Sequence, residues 1–488
     1  MKNLKLFFKN NFKFYQIFSD FFKFIFKNII TQIRRIYLGE VNYNLYQILQ
    51  QFKILSKKPT ENLADFNTNF LDDKLEKIIL DYAKNQPNKF CDVSINNDNP
   101  QKIALAFTAL YEMGGHSRLI ENFAKIAKDF YDLKLFATQV NLSVSNQSQN
   151  PTQNYLKSLN ISGVNTKFKF ENYCHLITNF YQQIINFNPR ILLVYGNSED
   201  IVLFGALALI KKYTKIKIFY VNIQDHLLNL GYKFADLILD FRPAGSYLTK
   251  EIRGYKNYVQ MPIAHKFLAD LDFFSDAEIS QLKNHLGIID NSLVSLSGAN
   301  ENKFFEANSS PYFVMIKKLL QSQPSLIHIV MTSINKSKNR EIFNEIFQNE
   351  TALLKRLIIV PQNIEFRKYF QMADVFIDSF PQGGALTHID LMTLKTPTIV
   401  KKNSQKPFKS FEFYLPKNYQ YIFENEDDVI QGAIDILANK AKAKELSNQL
   451  FEHYQKNYEA KIVFKKYQIL FDGIDDLSQF YQQNFYEN

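Results

Sequence analysis

The chain's densest grouping of side chains able to do chemistry runs from Ala373 to Thr398, ADVFIDSFPQGGALTHIDLMTLKTPT. Val375–Ile377 is a short apolar run with β-branched ends and reads as a buried strand. Ser379, Pro381, Gly383 and Gly384 break it. Residues 386–394 then carry apolar side chains at helical spacing, Pro397 ends that helix, and residues 398–400 start another strand. Two glycines in the connection let a ligand come close to the backbone. The helix behind them offers unpaired N–H groups and the positive end of its dipole. The pattern predicts a seat for a phosphate or diphosphate at Gly383, Gly384, Ala385, Leu386 and Thr387. Asp390, further into the helix, is placed to accept hydrogen bonds from ribose hydroxyls. An ordinary strand–turn–helix crossover of a parallel sheet has the same outline.

Two earlier places hold residues of the same kind. A strand over 103–110 leads into Met113-Gly114-Gly115-His116-Ser117-Arg118 and a helix over 119–128, a second anion seat. It lacks the third glycine of the dinucleotide fingerprint. His116 on this loop is a candidate contact for phosphate or acceptor, or simply a solvent-exposed loop histidine. A strand over 216–221 ends in Asn222, Gln224, Asp225 and His226. Ligands gather at the carboxyl ends of strands in doubly wound sheets, and an acid beside a histidine makes a general base with a partner. His226, with Asp225, is therefore expected to deprotonate or orient an acceptor, with His116 as its rival. The plain alternative makes Asp225 a helix N-cap with His226 a bystander.

The run Pro381-Gln382-Gly383-Gly384-Ala385-Leu386-Thr387-His388-Ile389-Asp390 resembles the donor loop of glycosyltransferases with two facing Rossmann-like domains, the GT-B group. The nearer resemblance is to O-GlcNAc transferase and the cytoplasmic bacterial N-glycosyltransferases. Their bacterial pattern, Pro-Phe-Gly-Asn-Thr-Asn-Gly-x-x-Asp, has the same length. Pro381, Gly383 and Asp390 match it, and the Asn-Thr-Asn core does not. Gln382 and Asp390 also stand at the spacing of the Glu-x7-Glu pattern of many retaining members, such as the family 4-like enzymes, with glutamine in place of the first glutamate.

The resemblance implies an α/β GT-B fold with a cleft between two domains. It implies a nucleotide-sugar donor, UDP-linked, as co-substrate, with no cofactor and no metal. Lys303, in the loop that also holds Asn300, would reach the donor's diphosphate, and Gln362 lies where that fold grips the base. Gly114, Gly115 and Arg118 would face the cleft. The acceptor would be a protein, a glycan or a lipid-linked sugar. A catalytically silent partner of this fold and a nucleotide-sugar 2-epimerase are the alternatives.

The elements that must position these residues form two α/β series. Residues 99–265 read as an acceptor-side Rossmann-like domain ending in a hinge strand over 261–265. Residues 266–460 read as the nucleotide-sugar domain, with helices over 312–320 and 342–347 and strands over 293–296, 327–331 and Leu357–Val360. Residues 461–488 are expected to cross back to the first domain, and residues 1–98 form a helical extension.

Composition bounds the rest. The net charge of +10 favours acidic partners, but no nucleic-acid motif stands out. Two cysteines, Cys91 and Cys174, give neither a disulfide framework nor a zinc spacing and fit a reducing compartment. Lysines interrupt every apolar run at the start, so neither a membrane span nor a cleavable signal is expected. Over residues 1–38, phenylalanines alternate with lysines and Asp20 is the only acid. Such a helix suits an anionic membrane surface or packing of its phenylalanines on the body. A cytoplasmic protein, peripheral on the inner membrane face, is the resulting expectation.

Overall fold

The computed structural model describes residues 73–84, 101–110, 115–138, 162–163, 173–197, 200–223, 225, 230–289, 291–362, 365–403 and 411–486. The basic stretch 1–38, Gly114 and His226 lie outside them; of the expected N-terminal extension, the helix Asp73–Lys84 is described.

The first sheet is parallel throughout. Its strands are β1 (Lys102–Phe107), β2 (Asp132–Ala137), β3 (Ser162–Gly163), β4 (Ile191–Tyr195), β5 (Lys217–Asn222), β6 (Leu237–Asp240) and β7 (Tyr258–Gln260), in the order 3-2-1-4-5-6-7. The second, also parallel, holds β8 (Leu293–Gly298), β9 (Leu326–Met331), β10 (Leu357–Val360), β11 (Val375–Ile377), β12 (Thr398–Lys401) and β13 (Ile422–Phe423), in the order 10-9-8-11-12-13. Both orders reverse direction once, between β1 and β4 and between β8 and β11. A crevice opens at the carboxyl ends of strands at such a reversal. This is the two-sheet α/β architecture of the GT-B fold.

Local sequence explains the strongest elements. β1 and β4 are apolar and buried along nearly their whole length, as central parallel strands with both faces covered must be. The helix Ile201–Tyr213 starts at Asp200, which accepts from Leu203 N at 3.0 Å. The same carboxylate accepts from Thr108 Oγ1 at 2.7 Å and from Thr138, so it ties the ends of β1 and β2 to that helix start. The helix Asp276–His285 begins with a Ser275–Glu278 capping box and is followed by Gly287 at φ +69°, a stop suited to glycine.

Two expectations change, and two strands go unannounced. The helix predicted over 119–128 is Gly115–Ala127, so Gly115, His116 and Arg118 belong to its first turn rather than to a loop. Residues 261–265 are not a hinge strand; the pairing strand is β7, just before them. β6 and β7 span only four and three residues, too short for an alternating pattern to announce them.

The helix Ala460–Asp472 returns from the second sheet's side to pack on Gly115–Ala127. Phe464, Tyr467 and Phe471 surround Phe123 with ring centroids 6.0, 5.0 and 6.4 Å away. Beyond it the chain pairs with the outer strand of the first sheet, Gln260 N donating to Gln483 O and Phe485 N to Gln260 O, both at 2.9 Å. That covers an edge otherwise open to other strands. Phe123→Ala removes the ring at the centre of this crossing and should cost about 3–5 kcal/mol, read as a lowered urea midpoint; a change below about 1 kcal/mol would show that the crossing helix is not held there.

Candidate functional site

The site is built on the carboxyl end of β11. Asp378 follows the strand directly and is 2 % exposed. Its Oδ1 accepts from Ser379 N at 2.9 Å and Gly384 N at 3.1 Å, while Oδ2 meets His388 Nε2 at 3.1 Å. The loop 379–384 therefore winds around an internal carboxylate. Gly383 is required by this close approach, because a Cβ there would lie 2.4 Å from Asp378 Oδ2. The helix Leu386–Thr393 starts behind it, and no side chain caps Ala385 at its N-cap position. The first-turn N–H groups and the positive end of the dipole are thus left for an anion.

Lys303 approaches from the loop after β8, across the reversal point of the second sheet. Its Nζ donates to Gly383 O at 2.7 Å. Burial pushes the ammonium below its ordinary value and Arg242 pushes the same way, against the opposing pull of Asp378. Arg242 comes from the first sheet, just beyond β6. It lies over the Phe411 ring at 4.4 Å, and Lys303 Nζ is 5.8 Å from the same ring. Two cations from different lobes thus converge beside the glycine loop.

The lobes are joined at the helix start itself. A Cβ on Gly115 would come within 2.7 Å of Leu386 Cδ1, so the first turns of Gly115–Ala127 and Leu386–Thr393 touch. Arg118 Nη2 donates to Asp390 Oδ2 at 2.6 Å, and His265 Nε2 lies 3.1 Å from Asp390 Oδ1. Arg367 Nη1 stands 3.6 Å from Oδ1, and the Arg118 guanidinium lies 5.5 Å from the Phe366 ring. Burial alone would raise the Asp390 carboxyl, but Arg118, His265 and Arg367 outweigh it and hold the group well below the usual carboxylate range.

Several expected roles are corrected by this geometry. Asp390 is 3 % exposed with both oxygens engaged, so it joins the lobes instead of presenting a free carboxylate to ribose. Gly384 aims its N–H inward at Asp378. Asp225 is not an available base. Its two oxygens receive Arg242 Nε at 2.6 Å and Nη2 at 2.8 Å, a bidentate pair that fixes the guanidinium. Leu386 contributes apolar packing against Gly115 through its side chain.

The remaining candidates are placed as follows. Lys303, Gly383, Ala385 and Thr387 come together at the helix start. His116 lies at the first sheet's reversal point, where burial lowers its pKa to about 4 against the Tyr195 carbonyl that raises it, so the ring is neutral at pH 7. Asn300 and Gln362 are exposed, each just past the carboxyl end of its strand, β8 and β10. Arg242, Phe411, His265, Arg367 and Asp378 were not singled out by the sequence as site residues. Of these, only Asp378 stood inside the glycine-loop stretch read from the sequence.

No family model matches the sequence, and no curated protein does. Solved structures do. A glycosyltransferase from Rickettsia africae superposes with a TM-score of 0.60 at 12 % identity, covering 77 % of this chain and 99 % of its own. HepE from Anabaena, solved with UDP, gives 0.59 at 12 %, covering 76 % and 100 %. The Thermobaculum terrenum O-GlcNAc transferase gives 0.54 at 9 %, covering 90 % and 79 %. These likenesses show the GT-B fold.

The cluster around Asp390 sets a pH dependence with a defined sign. A depressed folded-state pKa contributes stability that is complete above the unfolded carboxyl value, about 4, and is lost as pH falls below it, because the unfolded chain then takes up a proton that the folded chain refuses. Asp390→Asn should remove that part of the acid slope and cost about 3–5 kcal/mol near neutral pH by leaving buried cations unpaired. Urea titrations between about pH 3 and pH 7 check this; an unchanged acid slope would mean that Asp390 is not the carboxylate responsible.

Proposed function

We propose that the protein transfers a glycosyl group from a nucleotide sugar, UDP-linked, to an acceptor on a protein, a glycan or a lipid-linked sugar. One observation carries the reading: the uncapped start of the helix Leu386–Thr393 with Lys303 beside it, at the reversal point of the second sheet. The GT-B fold, and the UDP seen in the HepE structure, support a nucleotide sugar as the ligand.

In this reading the diphosphate rests against the N–H groups of Ala385, Leu386 and Thr387, with Lys303 as its cation. The bond from the anomeric carbon to the phosphate oxygen breaks, and negative charge grows on the departing diphosphate. Fixed donors and a fixed cation already aimed at that place stabilise it without having to reorganise. The loop at Pro361 and Gln362 lies along the same sheet edge for the base. Arg242, held by Asp225, lines the opposite wall, and His226 is assigned to orienting the acceptor. The interleaved lysines and phenylalanines of residues 1–38 support a place at an anionic membrane surface; among the described residues no helix is long and apolar enough to cross a membrane.

Lys303→Ala should weaken UDP binding by about 1.5–3 kcal/mol, roughly 10- to 100-fold, while uridine binding stays unchanged. Calorimetry with both ligands reads this, and an equal loss for uridine would remove Lys303 from the diphosphate. Incubation with UDP-sugars separates the classes: slow release of UDP marks a transferase, interconverted sugars without UDP an epimerase, and absence of nucleotide binding a silent partner. Removal of residues 1–38 should release the protein from anionic vesicles; a full-length chain that never sediments with them would end the membrane assignment.

A further inference from the structure

His388 lies in the helix Leu386–Thr393, behind the glycine loop, and its side chain is fully buried. Its Nε2 is 3.1 Å from Asp378 Oδ2. A carboxylate oxygen accepts, so Nε2 carries the hydrogen and donates it. Nδ1 is closed to solvent and meets no hydrogen-bond partner among the described residues. An apolar side chain would fill this space without stranding a nitrogen. A ring kept at that cost calls for a role, and its polar contact is with Asp378.

Asp378 stands where a negative charge works against the proposed seat. Its Oδ2 would lie 2.4 Å from a Cβ on Gly383, and Gly383 O is the atom that receives Lys303 Nζ at 2.7 Å. The carboxylate and the ammonium thus meet at one glycine. Burial works to strip the lysine of its proton, while the charge of Asp378 attracts the ammonium and works to keep it. A carboxylate that drew Nζ to itself would take the lysine from a ligand. Three donors oppose this: Ser379 N and Gly384 N reach Oδ1 at 2.9 and 3.1 Å, and His388 Nε2 reaches Oδ2. Gly384 N is 3.3 Å from Oδ2. Among the described residues, His388 is therefore the side chain that occupies the oxygen packed on Gly383.

We propose that His388 is a positioning residue of the diphosphate seat: by donating to Asp378 Oδ2 it holds that carboxylate off Lys303 and leaves the lysine to the anionic ligand. The assignment rests on the transferase reading above. His388 acts through Asp378 and Lys303, on the diphosphate and not on the base.

Glutamine and asparagine separate the two ring nitrogens. The amide nitrogen of His388→Gln reaches the place of Nε2, and that of His388→Asn the place of Nδ1. Calorimetry on the full chain with UDP and with uridine reads the difference. His388→Asn should bind UDP at least about tenfold more weakly, the size of one lost hydrogen bond to a charged group, and should bind uridine as the wild type does. His388→Gln should stay within about threefold of the wild type for both ligands. On a Lys303→Ala background, His388→Asn should cost no further UDP affinity, because the lysine it serves is gone. A merely structural histidine would lower both affinities together and add its loss to that of Lys303→Ala. An unchanged UDP affinity in His388→Asn, an equal loss for uridine, an equal loss in His388→Gln or an additive loss with Lys303→Ala each overturns this assignment alone. Should His388→Asn not fold, His388→Leu takes its place in the same comparison, and failure of both to fold makes the ring structural and ends the assignment. Wild-type protein that binds no UDP overturns the transferase reading and the assignment with it.

Discussion

A buried charge has to be paired, and in this protein the pairing of Asp390 spans the two lobes. The carboxylate sits inside the helix Leu386–Thr393, almost wholly buried, and its partners come from elsewhere: Arg118 from the first lobe, His265 from the crossing between lobes, Arg367 from the second. Pulling the lobes apart would strand an anion and cations that are expensive to leave alone. This constraint sets the register in which the start of Gly115–Ala127 meets the start of Leu386–Thr393. Two helix starts in contact bring two positive dipole ends together. That arrangement calls for negative charge nearby, and Asp378 and Asp390 supply part of it.

Asp378 does a different job with the same chemistry. By accepting from Ser379, Gly384 and His388 it stiffens the glycine loop from inside. It also decides which donors remain for a ligand. Gly384 is spent on the loop's own carboxylate, while the first turn of the helix after Ala385 has no side-chain cap. The loop is thereby held in shape before any ligand arrives, and a ligand anion would not have to order it.

Local signals carried much of this. The strand Val375–Ile377, the paired glycines and the helix behind them are contiguous, so periodicity and breakers located the loop to the residue. The alternation of strands and helices gave two parallel sheets. Long-range partners were not legible. Asp390 finds Arg118 across 272 residues and His265 across 125, and nothing in the spacing announces either. Asp390 therefore read as a free carboxylate. Asp225 next to His226 read as an acid–base pair, yet Arg242, 17 residues on, claims both of its oxygens. Phe411 lies in a stretch rich in aromatic residues, where one ring under a guanidinium cannot be told from the others.

The charge distribution around the glycine loop carries the argument one step further. Arg242 has a carboxylate of its own, whereas Lys303 donates to a neutral carbonyl, and burial works to strip its proton. An ammonium so placed is poorly solvated and poorly neutralised. Its nearest acid, Asp378, already serves Ser379, Gly384 and His388. The free energy of this lysine improves most if a group with more than one negative charge approaches from the cleft, where the helix start also favours it. A diphosphate is such a group. Affinity for the ligand and destabilisation of the lysine without it are then two sides of one electrostatic term. Under the proposed function, Lys303 is the residue through which diphosphate binding would feed back on the folded lobe.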